Sequence, residues 1–127
     1  MSVSSQRRGV TEQSAEELVR AYYDALDSHD YDRLEGILAP GFVQIRPDVT
    51  LEGRERFVAF MRDERPETAT SHPLDAVYAA TSEESEDSSG YAARGRVVTD
   101  DGRTLTRFVD VFSFENGKIA RLETYTD

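Results

Sequence analysis

The chain has no cysteine, no tryptophan, two histidines, four prolines and a single lysine. Without cysteine there is no disulfide framework, no thiolate metal site and no cysteine nucleophile. The same absence fits a reducing, cytoplasmic setting. His29 and His72 lack the spacing of a zinc site, such as two histidines four apart on a helix with a third ligand, so no metal is expected. Gly90, Gly95 and Gly102 are not spaced as a phosphate-cradling loop, and there is no Gly-x-Ser-x-Gly elbow. The chemistry of this chain is therefore expected to need no cofactor. No apolar run approaches the roughly 20 residues that cross a bilayer. The opening MSVSSQRRGVTEQS has no apolar core segment, so no secretory signal is expected.

Basic residues are also scarce. The formal charge is −10, and every base except Lys118 is arginine. That balance argues against binding a phosphate backbone or an anionic membrane surface. An acidic surface nearly free of lysine resembles that of proteins from salt-accumulating cells, where self-repulsion destabilises the fold in dilute buffer. A GC-rich genome, which favours arginine, accounts for the same composition.

What remains is ample for one domain. The 127 residues lie within the usual range of about 100–150 and can bury roughly two-thirds of the unfolded surface. Residues 1–13 read as a polar arm, and 14–127 as a single domain. Ser14-Ala15-Glu16-Glu17 has the form of a capping box. Leu18, Ala21, Tyr22, Ala25 and Leu26 follow at helical spacing, which predicts a helix from about 15 to 28. Asp30 is placed to cap a second helix with Leu34, Ile37 and Leu38 on its apolar side, stopped by Pro40-Gly41. Residues 42–46 read as a strand, and 53–64 as a third helix ending before Pro66. From about Ser71 the apolar period falls to two. Segments 72–81, 91–99, 104–114 and 118–126 read as strands, joined by an acidic loop over 82–89 and by Asp101-Gly102 and Asn116-Gly117 turns. Helices followed by strands indicate an α+β fold. Three helices would cover a strongly curved, mostly antiparallel sheet in a cone-like barrel with a cavity between the layers.

One residue breaks the pattern. Along 104–114 the even positions are Thr104, Thr106, Phe108, Asp110, Phe112 and Phe114. Side chains alternate faces along a strand, so Asp110 shares a face with three phenylalanines. A carboxyl among aromatics is costly to ionise, and its pKa is expected to rise. The plain alternative is an Asp paired with Arg94, Arg96 or Arg107.

Val19-Arg-Ala-Tyr-Tyr-Asp-Ala-Leu26, Asp30-Tyr-Asp-Arg-Leu34, the Gly-led segment 51–60 and the ending 110–127 together resemble the SnoaL-like and ketosteroid-isomerase-like families. These belong to the nuclear-transport-factor-2-like superfamily. The resemblance covers residues 14–127. It implies a homodimer through the outer sheet face, where Arg94, Arg96, Arg107, Val98, Val109 and Val111 fall. It aligns Asp110 with the protonated Asp of an oxyanion hole and Tyr22 with the tyrosine that completes it. The family's usual base, an Asp before a Pro at the end of the first strand, is here Arg46 before Pro47. In SnoaL-like cyclases an Asp on a late strand serves as base, which again selects Asp110, with His72 near it. Arg46 and His72 are candidates for the ligand pocket, as are Phe42, Phe57, Phe108 and Phe112, several of which also suit the core.

Two functional classes follow. One is a cofactor-free isomerase, cyclase or dehydratase using Asp110 and Tyr22 on a cyclic or unsaturated carbonyl compound. The other is a ligand-binding or accessory dimer with the same cavity and an apolar or carbonyl ligand. For the surface, a salt-adapted chain predicts a thermal unfolding midpoint that climbs steeply between dilute and molar KCl. A flat response assigns the arginine bias to genome composition.

Overall fold

The computed structural model describes residues 3–64, 69–80 and 90–127, with side chains from residue 15 onward. Helix α1 spans Val3–Asp27, α2 Tyr31–Gly36 and α3 Arg54–Ala59, the last continued by a π-helical turn over Phe60–Glu64. Seven strands follow or interleave: β1 Leu38–Ile45, β2 Thr50–Glu52, β3 Thr70–Ser71, β4 Leu74–Ala79, β5 Tyr91–Thr99, β6 Thr104–Glu115 and β7 Lys118–Thr126.

Several boundaries differ from the sequence expectation. Helix α1 starts at Val3 rather than near 15, so Ser14 lies inside it and is not its cap. Residues 4–13 contain no proline and only one glycine, so nothing in them stops a helix. Pro40 and Gly41 do not end α2. They lie within β1, where the register with β7 shifts between Leu38 and Val43. Such an irregularity accommodates a proline that cannot donate to the ladder. The first expected long strand, 72–81, is observed as the shorter β4, and the unexpected β3 precedes it, with Pro73 between the two. The acidic segment 82–89 and Pro66 lie outside the described residues.

Other local readings hold. Asp30 caps α2, its carboxylate accepting from the Arg33 amide at 3.2 Å. Asn116 and Gly117 both have positive φ, at 54° and 77°, the geometry of a turn whose twist matches the flanking strands. His29, with φ of 59°, ends α1 in the left-handed region.

The sheet order is β2-β1-β7-β6-β5-β3, with β4 also pairing β5. All contacts are antiparallel except β1 with β7. The sheet curls over the three helices without closing, because β2 and β3 stand at opposite edges. Its inner face and the helices share a core that includes Val19, Tyr22, Leu26, Leu34, Phe42, Phe57, Phe112 and Leu122. Burying a phenylalanine as fully as Phe42, Phe57 and Phe112 contributes about 2–3 kcal/mol each.

Gly95 sits where β5 passes from β4 to β3. A Cβ there would lie 2.5 Å from the Pro73 carbonyl oxygen and 3.0 Å from Phe108 Cζ. That carbonyl already accepts from the Arg96 amide at 3.1 Å and is not free to move. Gly95→Ala should therefore cost about 1–3 kcal/mol in urea unfolding. Gly41→Ala, with open space around its Cβ, should stay within about 0.5 kcal/mol.

Candidate functional site

The helices and the curled sheet enclose a cavity of about 340 Å³, near the lower end of the range for small-molecule sites. Its wall includes Tyr22 and Tyr23 from α1, Gln44 and Arg46 from β1 and its end, and His72 from the β3–β4 bend. Asp110 from β6 and Thr124 from β7 complete the polar side, and Phe108 from β6 adds an apolar face.

Strand alternation puts Asp110 inside. Along β6 Phe108, Asp110 and Phe112 are buried, while Arg107, Val109 and Ser113 are exposed. Asp110 is only 5% exposed. Cross-strand register brings Thr124 directly opposite it, and the Thr124 hydroxyl donates to Asp110 Oδ1 at 2.6 Å. The Tyr23 hydroxyl donates to Oδ2 at 2.5 Å. Burial raises the Asp110 pKa. The hydrogen bonds from Thr124 and Tyr23, and the charges of His72 and Arg46, only partly oppose that rise. Burial and the Asp110 charge push the Tyr23 phenol far above its ordinary value, so it stays protonated and acts as a donor.

Tyr22 lines the same cavity, but its ring belongs to an aromatic chain. It packs edge-on to Tyr23 at 4.8 Å and to Phe112 at 5.5 Å, and stacks on Phe57 at 6.2 Å. Phe57 in turn meets Phe42 at 4.8 Å. Phe42, Phe57 and Phe112 are fully buried behind the wall and are not part of it, whereas Phe108 is. Arg46 reaches the cavity with its guanidinium 5.6 Å from the Phe60 ring centre and 3.5 Å from Asp48.

His72 has a partner that the sequence reading did not name. Asp27, the last residue of α1, accepts from His72 Nδ1 at 2.5 Å and from the His72 backbone amide at 2.9 Å. Two anchors on one carboxylate fix both the main chain and the ring. A proton on Nδ1 leaves Nε2 as the basic nitrogen. The ring lies 5.9 Å from both Tyr23 and Phe108, so the His72–Asp27 pair and the Tyr23–Asp110 pair share one wall. A signal for Asp27 was present. An acid in the last turn of a helix opposes the helix dipole, and Asp27 falls one turn beyond Tyr23 on the same face. Both facts ask for a partner.

The match to a family model named SnoaL-like domain spans residues 19–122. The chain belongs to the SnoaL-like family. No curated protein matches it. Solved structures of the same fold include an NTF2-like protein of unknown function from Cytophaga hutchinsonii, 18% identical, with TM-score 0.71 and 89% of each chain covered. A "putative ketosteroid isomerase" from Kribbella flavida is 17% identical, with TM-score 0.74, covering 91% of this chain and 78% of the other. A "putative polyketide cyclase" from Sinorhizobium meliloti is 23% identical, with TM-score 0.62, covering 86% and 94%. At these identities the likeness is one of fold, and function must come from the site.

Raised as it is, the Asp110 pKa ties stability to pH. The native state keeps this proton over a range in which the unfolded chain has lost it. Stability therefore falls as pH rises from the ordinary carboxylate range through the raised native value. Asp110→Asn should remove that downward slope in a series of urea melts. An unchanged slope would place its origin elsewhere.

Proposed function

We propose that this SnoaL-like protein is a cofactor-free acid–base enzyme acting on a small cyclic or unsaturated carbonyl compound. The observation that supports it is the pairing of His72 with Asp27 beside the Tyr23–Asp110 pair in one small cavity. The usual base position holds Arg46, and His72 takes over that role. Nε2 removes a proton from the carbon next to the carbonyl. The electron pair of the broken C–H bond moves into the carbonyl, giving an enolate. In this step Asp110 is protonated, as its burial favours, and donates to the Tyr23 oxygen, so that the single Tyr23 proton turns from the carboxyl to the enolate oxygen, where charge develops. His72 completes an isomerisation by returning the proton to a different carbon, or a dehydration by giving it to a β-hydroxyl, which leaves as water while the enolate electrons re-form the carbonyl and make the new C=C bond. Asp27 holds the ring and fixes its tautomer, as the carboxylate behind a catalytic histidine does. Asp110 remains a catalytic residue in this reading, and the tyrosine beside it is Tyr23, with Tyr22 shaping the wall.

The outer sheet face supports a homodimer. Tyr78, Val109 and Tyr125 are 49%, 38% and 56% exposed there, with Arg94 paired across the strands to Val109. An apolar patch with arginine at its edge suits an interface. Sedimentation should give twice the chain mass, and Val109→Glu should give the monomer.

The decisive experiment is deuterium exchange into a panel of cyclic enones in D2O, followed by proton NMR. The wild type should exchange the carbon acid of at least one member. His72→Gln should lower that rate by about 10²–10⁴-fold, the usual contribution of a positioned base, and Asp27→Asn should lower it while leaving ligand affinity nearly intact. Saturable binding without exchange across the panel would replace the enzyme with a ligand-binding module.

A further inference from the structure

Gln44 is a buried polar residue of the cavity wall that the proposed reaction does not use. It is 3% exposed. Its Nε2 donates to Thr124 Oγ1 at 2.9 Å, and Thr124 Oγ1 donates to Asp110 Oδ1 at 2.6 Å. Its Oε1 is buried and has no hydrogen-bond partner among the described residues. Buried acceptors are seldom left in that condition.

The reason lies in the threonine. A hydroxyl has one proton to give. While Asp110 is ionised it can only accept, so Thr124 must donate toward it and receive from Gln44. The amide then turns its N–H to Thr124 and strands its carbonyl. When Asp110 carries a proton on Oδ1, that proton can pass its hydrogen bond to Thr124. The threonine proton is then released toward Gln44, and the favoured amide orientation is the opposite one, with Oε1 accepting from Thr124 and the NH₂ left over. Tyr23 donates to the other carboxyl oxygen, Oδ2, and is compatible with both states.

We propose that Thr124 and Gln44 form a two-state relay that converts the protonation of Asp110 into the hydrogen-bonding sign of the cavity wall at Gln44. A ligand hydroxyl or N–H is selected there while Asp110 is ionised, and a ligand carbonyl while it is protonated. The substrate class narrows accordingly to carbonyl compounds bearing a second oxygen or nitrogen substituent. This deepens the reading of the site above but requires no turnover. The titratable groups facing Asp110 are Tyr23, with Tyr22 and Asp27 on the same helix, His72 at the β3–β4 bend and Arg46 at the end of β1. Strand β5 places only Ala93 opposite it.

The test follows the Gln44 side-chain amide by ¹⁵N NMR, and the Asp110 carboxyl by ¹³C NMR, between about pH 4 and pH 9. Gln44→Leu and Asp110→Asn assign the two signals. Both should move with one midpoint. In Thr124→Val the carboxyl should still titrate while the Gln44 amide stays flat, and Thr124→Ser, which keeps the hydroxyl, should restore the coupling. Through-space effects of His72 or Asp110 would survive in Thr124→Val, so an amide that still moves there overturns the relay. An amide that is flat in the wild type does the same. With cyclohexanol and cyclohexanone as probes, the alcohol-to-ketone affinity ratio should rise about five- to tenfold across the midpoint, a change of one good hydrogen bond. It should be constant in Gln44→Leu. A constant ratio in the wild type would overturn the ligand preference, and neither result depends on whether enones exchange deuterium.

Discussion

The site depends on one carboxyl group held where water is scarce. Asp110 stands between Phe108 and Phe112 on the inner face of β6, and an isolated ion there would be far too costly to keep. The surrounding side chains answer that cost from two sides. Thr124 comes from the neighbouring strand by register, and Tyr23 comes from the helix laid across the sheet. The Tyr23 bond also joins the helical layer to the sheet, so the polar contact and the apolar packing specify the same docking of α1. The His72–Asp27 contact is a second tie between α1 and the sheet region. Tyr23 and Asp27, four residues apart, thus act as a pair of polar rivets on one helical face.

Much of this was legible because strand alternation is rigid. Placing Phe108, Asp110 and Phe112 on one face needs only a period of two, and the turn chemistry of Asn116-Gly117 pins the hairpin that follows. The order of the three helices, of β1 before α3 and of the strands β4 to β7 similarly follows from periodicity and from the family resemblance, whereas β2 and β3, three and two residues long, carry no period to read. What escaped was long-range. Tyr22 and Tyr23 are adjacent on an amphipathic helix and differ by about 100° in direction. No local rule says which hydroxyl meets an acid 87 residues later. The partnership of Asp27 with His72 spans 45 residues and depends on Pro73 breaking the strand just after the histidine. The start of α1 was misjudged because a good cap at Ser14 was present, while nothing upstream forbids helix.

Family membership and site chemistry make separate statements here. The SnoaL-like match and the shared fold describe a scaffold, a curled sheet around a cavity. On that scaffold this chain replaces the familiar acid before proline with Arg46, whose charge faces Asp110 and is partly shielded by Phe60. A cation at that point favours anionic character in whatever occupies the cavity, which is consistent with enolate chemistry supported from the opposite wall.

The parallel pairing of β1 with β7 has an effect on how the protein is made. Strand β1 is synthesised early, yet its partner β7 comes after all the other strands among the described residues, with Ile45 in register with Glu123. The hairpins β5–β6 and β6–β7 can form from neighbouring sequence. The edge of β1 cannot be covered until β7, far later in the sequence, is available to pair with it. Completion of the sheet therefore waits on a contact of high sequence separation, the kind that slows folding. Until it forms, the unpaired edge of β1 is open to pairing with a strand from another chain.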